Sequence, residues 1–202
     1  MAIDELRTIK QCQQGKLEEF GQLYDKYIKK IYDFIYFKTQ HQETAKDLTS
    51  KTFIKALESI KRFKTEQGYF SAWLYTIARN TVIDHYRTKK VEADVNDIWD
   101  LSANDDIEQD LDTKEKLKQV EKYLSQLKTE HRDIIIMRVW HGMSYQEIAQ
   151  VVGKSEASCK MMFSRTIIKL RQEMPLTLYI LMLIQNIAPT NQQIISQIHK
   201  FN

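Results

Sequence analysis

Glycine and proline are scarce, at five and two in 202 residues. With so few breakers among abundant Leu, Ile, Lys, Glu and Gln, the chain reads as helical nearly throughout, and the fold class expected is all-α. Cysteine is equally rare. Cys12 and Cys159 lie far apart and in no metal-ligand spacing, which supports neither a disulfide framework nor a zinc site and fits a reducing, cytoplasmic setting. No run reaches the roughly 20 apolar residues that cross a bilayer as a helix, so no stable membrane insertion is expected. The opening MAIDELRTIKQCQQ lacks the apolar core of a secretory signal. Phosphate-cradling glycine loops are absent and the five histidines are scattered. No Ser/His/Asp or Cys/His arrangement assembles, so we expect no enzyme, catalytic residue, cofactor, metal or small-molecule substrate.

What is present is charge in blocks. Over residues 1–90, 17 Lys and Arg stand against 11 Asp and Glu; over 91–112, none stand against nine; over 113–174, 12 stand against seven. Two basic modules facing a polyanion, joined by a solvated acidic linker, would carry charge in this way. The expected architecture is therefore two small helical domains, 1–90 and 113–174, an acidic linker 91–112, and an apolar helical extension 175–202.

Along the first module, residues 4–14 read as a short polar helix ended near Gly15. A longer helix from about Leu17 carries Phe20, Leu23, Tyr24, Tyr27, Ile28, Ile31, Phe34 and Ile35 as a core stripe. After a polar break at 39–43, a third helix from about Thr44 to Phe63 places Ala45, Leu48, Phe53, Ile54, Leu57 and Ile60 inside. The segment 62–69 reads as an exposed loop. Then Tyr69–Lys90 sets Phe70, Trp73, Leu74, Ile77, Ala78 and Thr81 at helical spacing, a buried seam. Its other side offers Tyr75, Arg79 and Tyr86, with Thr76, Asn80, Ile83 and Arg87 beside them. Rings that stack on bases and cations that neutralise phosphates suit nucleic acid; an amphipathic helix packing its aromatics on a neighbour also satisfies the pattern.

In the linker, Ile98, Trp99 and Leu101 could form a docking segment. Helical order resumes at Asp112, a cap with Glu115 three residues on, and Leu117, Val120, Leu124 and Leu127 form a stripe. Ile134–Val139 belongs to the next helix, stopped by Gly142. The segment 144–170 then opens on Ser144 with Glu147, a capping box, turns at Gly153 and restarts at Ser155. Ala149 and Cys159 supply the small contact and buried plug of a helix-turn-helix, although a plain αα-hairpin shares much of this pattern. The second helix would face Glu156, Lys160, Met161, Ser164 and Arg165 outward and Cys159, Met162, Phe163, Thr166, Ile167 and Leu170 inward. In the tail, 176–188 is nearly all apolar, and Ile194, Ile195, Ile198 and Phe201 recur at helical spacing. It could cover the second domain as a hairpin or receive a regulatory partner.

FSAWLYTIARNTVIDHYR resembles the second conserved region, and LSQLKTEHRDIIIMRVWHGMSYQEIAQVVGKSEASCKMMFSRTIIKLR the fourth, of bacterial RNA polymerase sigma factors of the extracytoplasmic-function type. The resemblance implies binding to core RNA polymerase around Asp47, Leu48, Ser50, Lys51 and Phe53. It implies minus-ten DNA contacts from Arg62, Lys64, Tyr69, Tyr75, Arg79, Asn80, Tyr86 and Arg87, with Tyr69 and Asn80 holding a flipped base. Minus-thirty-five contacts would come from Ser155, Glu156, Lys160, Met161, Ser164 and Arg165. The family usually carries Gln and Glu where Ser50 and Lys51 stand, and polar or basic residues where Met161 and Met162 stand. Promoter DNA, duplex and melted, and an anti-sigma factor are the further partners it implies. The function expected is promoter recognition and opening with core polymerase; the alternatives are a polymerase-independent helix-turn-helix regulator and a DNA recombinase.

Overall fold

The computed structural model describes residues 4–66, 68–92 and 111–184. Among them are nine α-helices and no strand. They group into two compact units, Met1–Ile107 with Gln146–Ser155, and Glu108–Tyr145 with Glu156–Asn202. Ile98, Trp99 and Leu101, and Ile194, Ile195, Ile198 and Phe201, lie outside the described residues.

In the first unit, α1 (Glu5–Gln13) starts where the Asp4 carboxylate accepts from the Arg7 N–H at 3.1 Å, and stops at Gly15, whose φ of 101° suits a residue without Cβ. A 3-10 turn at Leu17–Glu19 leads into α2 (Phe20–Thr39), which buries Phe20, Leu23, Tyr27, Ile28, Ile31, Phe34 and Ile35. Gln40, at φ 51°, ends α2 in the left-handed region, its N–H donating to Tyr36 O at 2.7 Å. His41 then caps α3 (Gln42–Ser59), Nδ1 accepting from the Thr44 N–H. Inside α3, Thr49 and Thr52 are buried and satisfy their hydroxyls by donating to Ala45 O and Leu48 O, each at 2.7 Å. A 3-10 turn, Ile60–Arg62, and an irregular segment precede α4 (Phe70–Glu92).

Helices α2, α3 and α4 pack against one another, with α1 laid on α2 and on the 3-10 turn after α3. Each Leu, Ile or Phe enclosed in this core contributes about 1.5–3 kcal/mol by leaving water. Of the expected seam of α4, Phe70, Leu74, Ala78 and Thr81 are buried, and Trp73 and Ile77 are half-buried. One apolar residue of α3 was expected inside and is not. Ile54 is 56% exposed, because it lies seven residues beyond Asp47 on the outer face, while the buried face runs through Ala45, Leu48, Thr49, Thr52 and Ala56. The helix α7 (Tyr145–Val152), most of which groups with this unit, buries Ile148, Val151 and Val152.

The second unit begins with α5 (Leu111–Ser125), so Asp112 is inside the first turn rather than before it. α6 (Thr129–Ile135) runs into a π-helical turn, Ile136–Trp140, closed by the His141 N–H reaching Ile136 O at 3.2 Å. Ile134, Ile135, Ile136 and Met137 are all fully buried, so this run is enclosed on every side. α8 (Glu156–Glu173) and α9 (Leu176–Ile184) complete the unit. Val120, Leu124, Leu127, Ile135, Val139, Leu170, Met174, Leu178 and Met182 form its core. α9 packs on α5 and α8, and the Trp140 indole N–H donates to Met182 O at 2.9 Å. The start of the apolar extension is thus part of this core.

Candidate nucleic-acid interface

On α3, Asp47, Ser50, Lys51 and Ile54 share the exposed face. Asp47 and Lys51 pair at 2.7 Å and Lys46 and Glu43 at 2.9 Å, exposed couples worth a few tenths of a kcal/mol each and readily exchanged for a partner's charges. The family resemblance implies Leu48 and Phe53 beside them, whereas the apolar spacing of α3 places both inside. The structure turns both inward: Leu48 is 2% exposed, and the Phe53 ring lies 4.8 Å from Tyr24 and 6.4 Å from Phe20. At about 100° per residue, positions 48 and 53 fall on the core side of a helix whose 47, 50 and 51 face out.

The basic segment after α3 exposes Arg62 and Lys64, and Tyr69 is 46% exposed just before α4. Within the same compact unit the Tyr69 hydroxyl donates to Gln146 Oε1 at 2.9 Å. A hydrogen bond from its own backbone, then one from Thr65, holds the Glu66 carboxyl below the usual range. Phe63, Phe70 and Trp73 form an aromatic cluster at 5.1–5.7 Å that joins this segment to α4.

The sequence places two adjacent ridges of α4 on one outer strip; in the structure one of them turns Tyr75 inward, half-buries Arg79 and leaves Tyr86 36% exposed. Asn80, Ile83 and Arg87, spaced three and four apart, face outward. Tyr75 does not. It is 1% exposed, its ring 5.1 Å from Phe34 of α2, and burial pushes its phenol well above the ordinary tyrosine range. Arg79 on the same ridge is half-buried with its Nε enclosed, and the Tyr86 hydroxyl donates to Lys38 O at 3.1 Å, so its polar end ties α4 to α2. The reason is the width of the contact: α4 touches both α2 and α3, and two neighbours bury a broader arc than the single seam read from apolar spacing. Arg87 pairs only loosely with Asp84, at 3.4 Å, with 78% of its side chain exposed.

Between α7 and α8 the chain turns at Gly153, φ 69°, whose N–H donates to Ala149 O at 2.9 Å. Along α8, Ser155, Lys160, Met161, Ser164 and Arg165 are exposed and Glu156 is half-buried, while Cys159, Thr166 and Leu170 are buried. Lys160 pairs with Glu156 at 2.8 Å and lies 5.8 Å from the Tyr145 ring, whose other cation, the Arg138 guanidinium, stands 4.7 Å away. Arg138 donates to Met143 O at 2.8 Å, and Tyr145 meets Phe163 edge-on at 5.8 Å. This cation–aromatic group was missed from sequence, where Arg138 counts only as part of an apolar helix; an Arg seven residues before a Tyr at a helix start was the available signal. Thr166 donates to Met162 O at 2.7 Å, so its oxygen accepts from His131 Nδ1–H at 2.6 Å, which assigns the proton to that nitrogen. Among the described residues no group of three metal-ligating side chains occurs, and no helix is long and apolar enough to cross a membrane.

These surfaces belong to segments with known relatives. Residues 23–91 match the family model Sigma-70 region 2, and residues 117–170 match Sigma-70, region 4. The chain is 33% identical over 156 residues to the RNA polymerase sigma factor YlaC of Bacillus subtilis, covering 75% of this chain and 90% of that one. It is 32% identical over 177 residues to the ECF RNA polymerase sigma factor BldN of Streptomyces coelicolor, covering 84% of this chain and 66% of the relative. Among solved structures, the sigma factor RpoE of Bartonella quintana, in complex with the anti-sigma factor NepR, superposes with a TM-score of 0.65 at 25% identity over 77% of this chain and 96% of that one.

Proposed function

This chain belongs to the extracytoplasmic-function sigma factors, which direct promoter recognition by RNA polymerase, and on that premise we propose how its surfaces divide the work. The outer face of α3, with Asp47, Ser50 and Lys51, docks on core polymerase. Arg62, Lys64, Tyr69, Asn80 and Arg87 hold the melted minus-ten strand: the cations neutralise phosphate while Tyr69 stacks and Asn80 reads a base edge. Helices α7 and α8 act as a helix-turn-helix on the minus-thirty-five duplex, Ser155, Glu156, Lys160, Met161, Ser164 and Arg165 lining the reading face, with phosphate or guanine contacts from Lys160 and Arg165. The chain works in the cytoplasm, catalyses no reaction itself, and is held in check by an anti-sigma factor.

The observation that carries this reading is the pairing of two exposed basic helical surfaces with matches to both DNA-binding regions of the family, in the same order. Transcription with purified core polymerase on a promoter library tests it. Initiation at a defined subset of promoters, dependent on the chain, is expected. Tight duplex binding by the free chain with no initiation would favour the polymerase-independent regulator and overturn the proposal.

A further inference from the structure

Gln13, in the last turn of α1, is 47 and 50 residues from the two groups that its side chain meets. Its Nε2 donates to Ile60 O at 3.1 Å and to Phe63 O at 2.6 Å, using both amide hydrogens. Those carbonyls bracket the 3-10 turn Ile60–Arg62, through which the basic segment with Arg62 and Lys64 leaves α3. Ile60 is fully buried and Phe63 nearly so, and the Phe63 ring sits 5.1 Å from Trp73 and 5.7 Å from Phe70 at the start of α4. The basic segment therefore leaves α3 from a clamped point.

The ring of Phe63 is held by Phe70 and Trp73, and its carbonyl by Gln13. The Phe63 N–H closes the turn on Ile60 O, but Phe63 itself has extended backbone, φ −69° and ψ 128°, so the direction of exit depends on what holds its carbonyl. Gln13 supplies that hold. α1 is in turn fixed at its other end, where Glu5 accepts from the Tyr27 hydroxyl at 2.6 Å and pairs with Lys26, and it is closed behind Gln13 by Gly15 N–H to Cys12 O and Lys16 N–H to Gln11 O. Lys10, one turn before Gln13, adds positive potential at Glu66 in the same segment.

We propose that Gln13 is a positioning residue for promoter opening: by bonding the Ile60 and Phe63 carbonyls, α1 sets the path of the basic segment that presents Arg62, Lys64 and Tyr69 to the melted strand. This rests on the minus-ten role proposed above for that segment. α1 lies before the residues matched to region 2, so it contributes to strand recognition from outside that region.

The test uses holoenzyme assembled from the full chain and core polymerase, and two single-stranded oligonucleotides. One carries the non-template minus-ten sequence of a promoter from which the wild type initiates, and the other has the flipped base replaced. Gln13→Ala should lower the preference for the first strand about tenfold, the effect of losing two hydrogen bonds on a partly buried turn, while core polymerase affinity stays at the wild-type value. Gln13→Glu should lose more, because a carboxylate would face two carbonyls, and Gln13→Asn, one methylene shorter, should not restore the preference. A general loss of folded protein would depress binding to both strands equally and leave their ratio unchanged, so the ratio reports positioning. A wild-type ratio in Gln13→Ala holoenzyme overturns the inference alone. A wild-type holoenzyme with no preference between the strands overturns the minus-ten reading on which it stands.

Discussion

Replacing Tyr75 with alanine separates a residue that builds the first unit from one that meets DNA. The ring is enclosed between α4 and α2, 1% exposed and edge-on to Phe34 at 5.1 Å. Truncating a buried aromatic to alanine costs about 3–5 kcal/mol, as transfer free energy plus the cavity that close-packed neighbours do not fill. Set against a domain stability of about 5–15 kcal/mol, that removes a large share of the unit's margin. For a helical unit of this size each kcal/mol moves the midpoint by about 4–8 °C, so the first unit should melt well over ten degrees lower. The exposed Asn80, five residues on, should change stability by no more than about 0.5 kcal/mol when truncated. Hydrogen exchange read by mass spectrometry on peptides from α2, α4 and α8 localises the effect, which a whole-chain melt of two units would blur. Tyr75→Ala should lose protection in α2 and α4 and keep it in α8; Asn80→Ala should keep all three and weaken minus-ten strand binding. Full protection of α2 in Tyr75→Ala, with strand binding lost, would refute the inward assignment.

Three further outcomes follow from the same geometry. Burial raises the Asp33 carboxyl above its ordinary value near 3.8, offset in part by Lys29 at 3.2 Å, so its contribution to stability is complete below that value and falls away as pH rises through the folded pKa; Asp33→Asn should therefore gain more Tm over wild type at pH 7 than at pH 3.5, and an equal or reversed gain would count against it. Gly153→Ala should destabilise by about 1–2 kcal/mol in a urea melt, wholly from φ 69°, because a Cβ there meets no atom within 4 Å; an unchanged midpoint would contradict the turn. Lys160→Ala should weaken minus-thirty-five duplex binding by holoenzyme uniformly across sequences and reduce the slope against log salt by about 1, whereas loss of discrimination at one base pair would assign Lys160 to a base instead.

Much of this molecule was legible in its sequence because helices announce themselves locally. Apolar residues three and four apart gave the α4 seam, Gly15, Gly142 and Gly153 all adopt the positive φ that stops a helix, and of the six residues of α8 read as inward, Cys159, Thr166 and Leu170 are buried while Met162, Phe163 and Ile167 are half-buried. Besides Asp112, which lies in the first turn of α5 rather than capping it, the departures concern how far burial extends around a helix. Motif position drew Phe53 and Leu48 toward the polymerase surface, but they lie on the core side of α3 as their spacing already indicated, and Ile54 lies outside although it is apolar.

The sequence by itself determined the helices, their ends, the alternation of charge and the membership of a family, because these rest on interactions within a few residues or on motifs readable in order. Only the tertiary structure decided that Tyr75 of α4 turns inward, since that depends on how many helices press on it, and that the amide of Gln13 reaches two carbonyls some fifty residues away. A side chain's periodicity states which neighbours it has along its own helix; the width of the buried arc and the partner of a polar group are set by the other helices, and no local pattern carries them.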